Sequence, residues 1–386
     1  MSRWGLLAVL LGVIMVTGAC FWWPSSPVSS VPSFAPQYGS TDQWLSYLDQ
    51  HFARDESCRE CHRQEYNAHQ RSGHSRTARW MEQTDQAAEL HGTHYPDPRR
   101  QQVLEFALRE EGFFVGVRGT DAEPIFPVHW LIGSGTHAHT PLSIDPVSGR
   151  GVEFRWSWFA GECAWGLTPD HERFDDYREG TLETFGRPMD QQQALACLGC
   201  HATVTPPRQV RPTRQAIIAN IGCERCHGPR KAHVEQARLG RPEDSPPLLT
   251  YTTPEQSIRQ CAQCHRDESN TPADSKPETL ARYQPYGLLK SRCYLESDKS
   301  LSCMTCHDPH DRTSTDRTRY IQTCLKCHTG PAQTPCSIEP AGDCVKCHMP
   351  AVEWVSGIKF HDHWIRRPTE INSPASRGDQ STGATP

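Results

Sequence analysis

The chain has 386 residues, of which 36% are apolar and 22% charged, and it carries 31 prolines, 27 glycines, 18 cysteines and 20 histidines. A formal charge of −5 excludes a strongly basic nucleic-acid binder. So small an apolar share excludes a large core built from side chains alone, so something other than leucine and isoleucine must fill the interior.

At the N-terminus Arg3 is followed by the apolar run Trp4 to Val16 and then by Thr17, Gly18, Ala19 and Cys20. A short basic start, about a dozen apolar residues and small residues before a cut site describe a secretory signal. Residues 1–20 are therefore expected to be a signal peptide, with Cys20 as a lipid-anchored residue, or a membrane anchor. Counted on to Trp23, the segment is also long enough to cross a bilayer, with tryptophans at the far interface. Simple secretion is the third reading, and all three place the body of the protein outside the cytoplasm. Residues 21–45 are rich in proline and serine and read as an extended tether.

Residues 42–90 read as helical. From Gln101 to about Thr168 the pattern changes to alternation: Val103 to Leu108, Phe113 to Val117 and Val152 to Trp158 look like short strands separated by glycine and proline. Beyond Asp190 the chain reads as short helices and loops, and residues 366–386 as a frayed tail.

Seven times two cysteines stand three apart and a histidine follows at once: Cys58–Cys61–His62, Cys197–Cys200–His201, Cys223–Cys226–His227, Cys261–Cys264–His265, Cys303–Cys306–His307, Cys324–Cys327–His328 and Cys344–Cys347–His348. This is the signature of covalent c-type haem attachment, in which both thiols add to the haem vinyl groups and the histidine binds iron from one side. Zinc is the competing chemistry, because the gaps between the last motifs fall in the zinc-ribbon range. Zinc, however, has no use for a histidine in the same adjacent slot seven times over, which at this histidine content chance would supply on the order of once in a billion. Seven covalently held haems follow as the expected cofactors. They imply export, and they explain the polar composition, since each porphyrin is a large apolar disc.

The other axial position of each iron decides between electron exchange and small-molecule chemistry. Thirteen histidines lie outside the motifs. His233 and His310 follow motif histidines too closely to reach round their own haem, and read as ligands of a neighbouring one. His74, twelve residues past His62, is a further candidate. One of His137 and His139, and one of His361 and His363, complete the set with His171; His137 and His363 are taken as the representatives.

Gly222-Cys223-Glu224-Arg225-Cys226-His227-Gly228-Pro229 with His233, Cys303 to His310, Cys344 to Pro350, and Cys58 to His62 with Tyr66 and Ser72-Gly73-His74 resemble the multihaem c-type cytochromes with paired motifs. That group is similar to the tetrahaem electron carrier of ammonia oxidisers. The resemblance covers roughly residues 55–365 and implies distal roles for His74, His233 and His310. It also implies haems in stacked and perpendicular pairs wrapped by short helices. Seven motifs exceed the four of the simplest relatives, and no motif carries lysine in place of histidine as the catalytic haem of pentahaem nitrite reductases does.

The expected fold is mainly α with little regular secondary structure, a multihaem cytochrome domain over 46–365 with a small β-rich segment at 101–168. The expected function is an exported, membrane-tethered heptahaem relay on the periplasmic side of a bacterial membrane or at the cell surface. Its partners would be a membrane quinol-oxidising complex or a periplasmic redox protein, with no nucleic acid. The alternative is an oxidoreductase acting on a small nitrogen or sulfur compound at one five-coordinate haem.

Overall fold

The computed structural model describes residues 39–119, 125–246, 251–328, 336, 342–355 and 357–368. The N-terminal signal or anchor, most of the tether and most of the tail lie outside the described residues. Within them, 39% of residues are helical and 21% lie in strands. The expectation of a mainly α fold with a small β segment is therefore corrected: the chain is a mixture in which sheets build the principal core. No helix among the described residues is long and apolar enough to cross a membrane.

The first helix, Thr41–His51, starts inside the stretch expected to be tether, because the Ser40 hydroxyl accepts from the Gln43 backbone N–H and closes the helix N-terminus. Trp44 and Leu48, four apart, are the buried face. The strand region runs from His94 to Met189, wider than 101–168. His94–Asp97, Gln102–Arg109, Gly112–Val117 and Phe126–Val128 form an antiparallel four-stranded sheet. Its longest strand buries Gln102, Leu104 and Phe106 in alternation, the two-residue period of a half-buried strand.

The larger sheet has seven antiparallel strands, running Ala78–Trp80, Trp130–Ile132, Ala138–Ile144, Gly151–Phe154 and Gly186–Met189, with Trp156–Phe159 and Ala164–Leu167 attached at its side. Its crowded edge needs Gly186, whose φ is +155° and where any Cβ would lie 2.1 Å from the Glu153 carbonyl oxygen. Two hairpins lie outside the expected β segment, Ala202–Val204 with Ile218–Ala219 and Ala351–Val355 with Ile358–His361. Short alternating runs of this kind are hard to separate from loop by pattern alone.

Two cores result. Phe106, Phe113, Val115, Leu131, Phe154 and Trp156 pack between the sheets with Met81 and Leu90. Trp130, Leu142, Ile144 and Met189 pack against Ala194 and Leu198 of the helix Gln191–His201. That helix is started by a capping box in which Asp190 and Gln193 satisfy each other's backbone N–H. At the centre Arg155, 2% exposed, donates to the Asp97 and Asp175 carboxylates and to the His171 carbonyl. From Cys223 onward buried apolar side chains become sparse among the described residues, where Ile258, Leu288 and Tyr294 form a small cluster.

Candidate haem-binding site

Each motif is folded as a helical turn, so that cysteines three apart share a side and the histidine stands one turn above the first. His62, His307 and His328 donate backbone N–H bonds to the carbonyls of Cys58, Cys303 and Cys324 at 2.8, 2.9 and 3.1 Å. The remaining motifs lie in or at the ends of Gln191–His201, Cys223–His227, Pro254–His265 and Cys344–His348.

The motifs do not meet in sequence order. The free thiols of Cys58 and Cys223 lie within hydrogen-bonding reach of each other, as do those of Cys200 and Cys264 and of Cys303 and Cys261. The first motif thus lies against the third, the second against the fourth and the fourth against the fifth. Cys324 is close enough to Cys344 and Cys306 for their charges to raise its thiol, after the larger effect of burial. Burial and then the nearby Cys261 raise the Cys226 thiol, so the third motif lies by the fourth; the seven motifs are thus joined through these contacts, with the second branching from the fourth.

Four motif histidines face a second histidine ring. His62 faces His233 at 6.4 Å between ring centres, His74 faces His265 at 6.3 Å, His227 faces His310 at 6.1 Å and His307 faces His363 at 6.1 Å. A metal–imidazole bond is about 2 Å, so two rings in line across one ion stand roughly 6 Å apart between centres. Other ring pairs in the chain span 3.7 to 6.5 Å, so it is the repeated placing of a histidine against a motif histidine, together with this distance, that points to a metal between them. The residues present therefore fit iron held between paired imidazoles, and the thin side-chain core after Cys223 fits porphyrins as the missing apolar mass.

The rings are oriented for this. Nδ1 of His233 points to the Ser245 carbonyl at 3.3 Å, that of His363 to the His361 carbonyl at 2.8 Å and that of His265 to the Gln284 side-chain oxygen at 3.2 Å. A hydrogen bond from Nδ1 fixes the tautomer and leaves Nε2 free to ligate. Burial, then the neighbouring His265, holds His74 down at about 4, and burial holds His363 at about 4 as well, so both rings are neutral near pH 7. None of these carbonyl partners has a sequence signal, and only folding identifies them.

The other expected residues are placed differently. His137 lies against the Phe360 ring at 4.8 Å and faces no motif histidine. His171, 1% exposed, donates from Nε2 to Glu153 Oε2 at 3.1 Å, so the nitrogen best suited to iron is occupied. Glu153 also pairs with Arg187 at 2.7 Å, and both charges act on the Cys197 thiol of the second motif. His201, His328 and His348 face no second histidine ring among the described residues. Nδ1 of His201 points to the Thr77 carbonyl and that of His348 to the Arg366 carbonyl, at 3.1 and 3.0 Å.

A family model described as cytochrome c554 and c-prime matches residues 57–103 and 168–228, which contain the first three motifs. The matched segments make up less than half of the chain. The motifs they contain carry the signature of covalent haem c attachment. Among solved structures the chain is similar to the crystal structure of the outer cell wall cytochrome OcwA, at 15% identity over 82% of this chain and 79% of that one, with a TM-score of 0.48. No curated protein matches the chain.

Proposed function

We propose that the protein is an exported heptahaem cytochrome, tethered to the membrane through residues 1–20, that relays electrons through haems held mostly by two histidines each. The observation that carries this reading is the set of four facing histidine pairs, each with a ring-centre separation between 6.1 and 6.4 Å. Haem c bound at the seven motifs supplies reversible one-electron chemistry of iron. Protein ligands on both sides of an iron exclude substrates from it, and His74, His233, His310 and His363 would do this for the motifs of His265, His62, His227 and His307. Because these ligands cross between motifs, they also hold neighbouring haem sites at fixed separations.

Kinship with the tetrahaem carrier of ammonia oxidisers belongs to this reading, as do a membrane quinol-oxidising complex or a periplasmic redox protein as partner, and a site on the periplasmic side or at the cell surface. Covalent haem attachment after export and the apolar N-terminal run support that placement. The test is a haem count on the purified full chain together with its spin state. Seven haems per chain with mainly low-spin ferric signals supports the relay; a colourless, zinc-loaded product overturns it.

A second reading is favoured by one observation, the absence of a facing histidine ring at His201, His328 and His348 among the described residues. An open iron at one of these motifs would make the protein an oxidoreductase on a small nitrogen or sulfur compound. Carbon monoxide binding by the reduced protein, with a high-spin ferric signal, distinguishes this reading from the pure relay.

A further inference from the structure

Glu224 lies inside the third motif, between Cys223 and Arg225, yet it is only 4% exposed. Its carboxylate accepts three backbone N–H bonds from two distant segments. Oε1 accepts from Ala53 at 2.9 Å and from Arg230 at 2.7 Å, and Oε2 accepts from Arg54 at 3.0 Å. Ala53 and Arg54 lead directly into the helix Asp55–Cys58 that carries the first motif. Arg230 is the N-cap of the helix Lys231–Arg238 that carries His233. One buried carboxylate therefore holds the start of the helix bearing Cys58 and the start of the helix bearing His233.

The contact is reciprocal. Asp55 Oδ1 accepts from the Cys223 N–H at 2.9 Å, so the first motif's helix caps the third motif's. A side chain at residue 222 would block this, since a Cβ on Gly222 would lie 2.5 Å from Asp55 Oδ1. Arg54 sits at φ +67°, a conformation costly for a non-glycine residue, and Glu224 receives the N–H that this conformation presents. On the ligand side, the Arg230 guanidinium donates to the Ser245 carbonyl at 3.0 Å, the same oxygen that orients the His233 ring.

We infer that Glu224, assisted by Asp55, is the positioning residue that sets the His62–His233 separation, so that the second ligand of the first haem site depends on a side chain of the third motif. This inference rests on the bis-histidine reading proposed above. A carboxylate suits the task because both of its oxygens accept, and N–H bonds to a charged acceptor are stronger than neutral ones. An amide cannot substitute: it has one accepting oxygen, and its NH₂ would face an N–H donor at either Oε1 or Oε2.

The experiment compares full-length, haem-loaded Glu224→Gln, Glu224→Asp, Asp55→Asn and His233→Ala with the parent, reading ferric electron paramagnetic resonance and carbon monoxide binding. His233→Ala is the reference, expected to convert about one haem per chain to high spin with a matching gain in carbon monoxide uptake. Glu224→Gln should reproduce that change, Glu224→Asp should recover part of the low-spin signal, and added imidazole should restore it in both Glu224→Gln and His233→Ala. If His233→Ala changes spin state but Glu224→Gln and Asp55→Asn keep the parent spectrum, Glu224 is only a structural cap and the inference fails alone. A His233→Ala protein that remains fully low-spin overturns the pairing and the inference with it. Should Glu224→Gln not accumulate with haem, Asp55→Asn decides by the same criteria.

Discussion

The His310 ring lies 6.1 Å from the His227 ring with only 5° between their planes, although the two residues belong to the fifth and third motifs. His310 stands three residues past His307, too near to reach the far side of its own site. Its reach to His227 links two motifs that are remote in sequence. The His62–His233 pair does the same for the first motif and the segment after the third.

His310→Ala should therefore alter the third motif's haem and leave that of the fifth, where His307 faces His363, unchanged. Expected is the loss of one nearly parallel bis-histidine signal and the gain of about one carbon monoxide equivalent per chain. Site-resolved nuclear magnetic resonance of haem methyl groups checks which haem moved; a change at the fifth motif instead would refute the crossing.

His171→Asn is expected to leave the number of low-spin haems unaltered, because Nε2 of His171 is already bound to Glu153. Burial pushes the Glu153 carboxyl up, but the His171 and Arg187 contacts outweigh it and hold the group below the usual carboxylate range. Resonance spectra of the variant decide the matter, and loss of a low-spin signal would make His171 a ligand after all.

Arg155→Met would leave Asp97 buried without its counter-charge. Breaking a buried pair from one side costs about 3–5 kcal/mol. Denaturant unfolding, followed by tryptophan fluorescence of the sheet region, should show a loss of this size. The double variant Arg155→Met with Asp97→Asn should recover part of it, and an unchanged midpoint in the single variant would contradict the role.

Asp175 is held down at about 2, below its ordinary value of 3.8, by the hydrogen bond from Arg99 and then by Arg155. A carboxyl depressed in the folded state stabilises the fold above pH 4, and this contribution disappears as pH falls toward 2. Asp175→Asn should therefore be less stable than the parent at pH 6, by no more than about 1 kcal/mol because the group is partly solvated. The two proteins should converge near pH 2; a constant difference across this range would exclude the ion pairs as the cause.

The sheet core was readable where alternation was long, as in Gln102–Arg109, which buries every second residue. The strands Ala78–Trp80 and Gly186–Met189 were not, because three or four residues with proline and arginine carry no period and take their strand form from neighbours. Overall helical content was overestimated for a related reason. The motif helices are only four or five residues long at Asp55–Cys58, Cys223–His227, Cys303–Cys306 and Cys344–His348. Helices so short are set by their packing and add little to the whole.

The sequence by itself pointed to the chemistry: seven cysteine pairs each followed by histidine carry the covalent haem attachment signature, which is a matter of local spacing. It also left thirteen further histidines as candidates for the second ligands. Which of these face which motif was decided by tertiary structure alone. Ring pairs such as His74–His265 and His307–His363 join segments 191 and 56 residues apart, and no local rule encodes that distance. It is fixed by packing and by buried acceptors such as Glu224, whose three backbone partners become its partners only once the chain has closed around them.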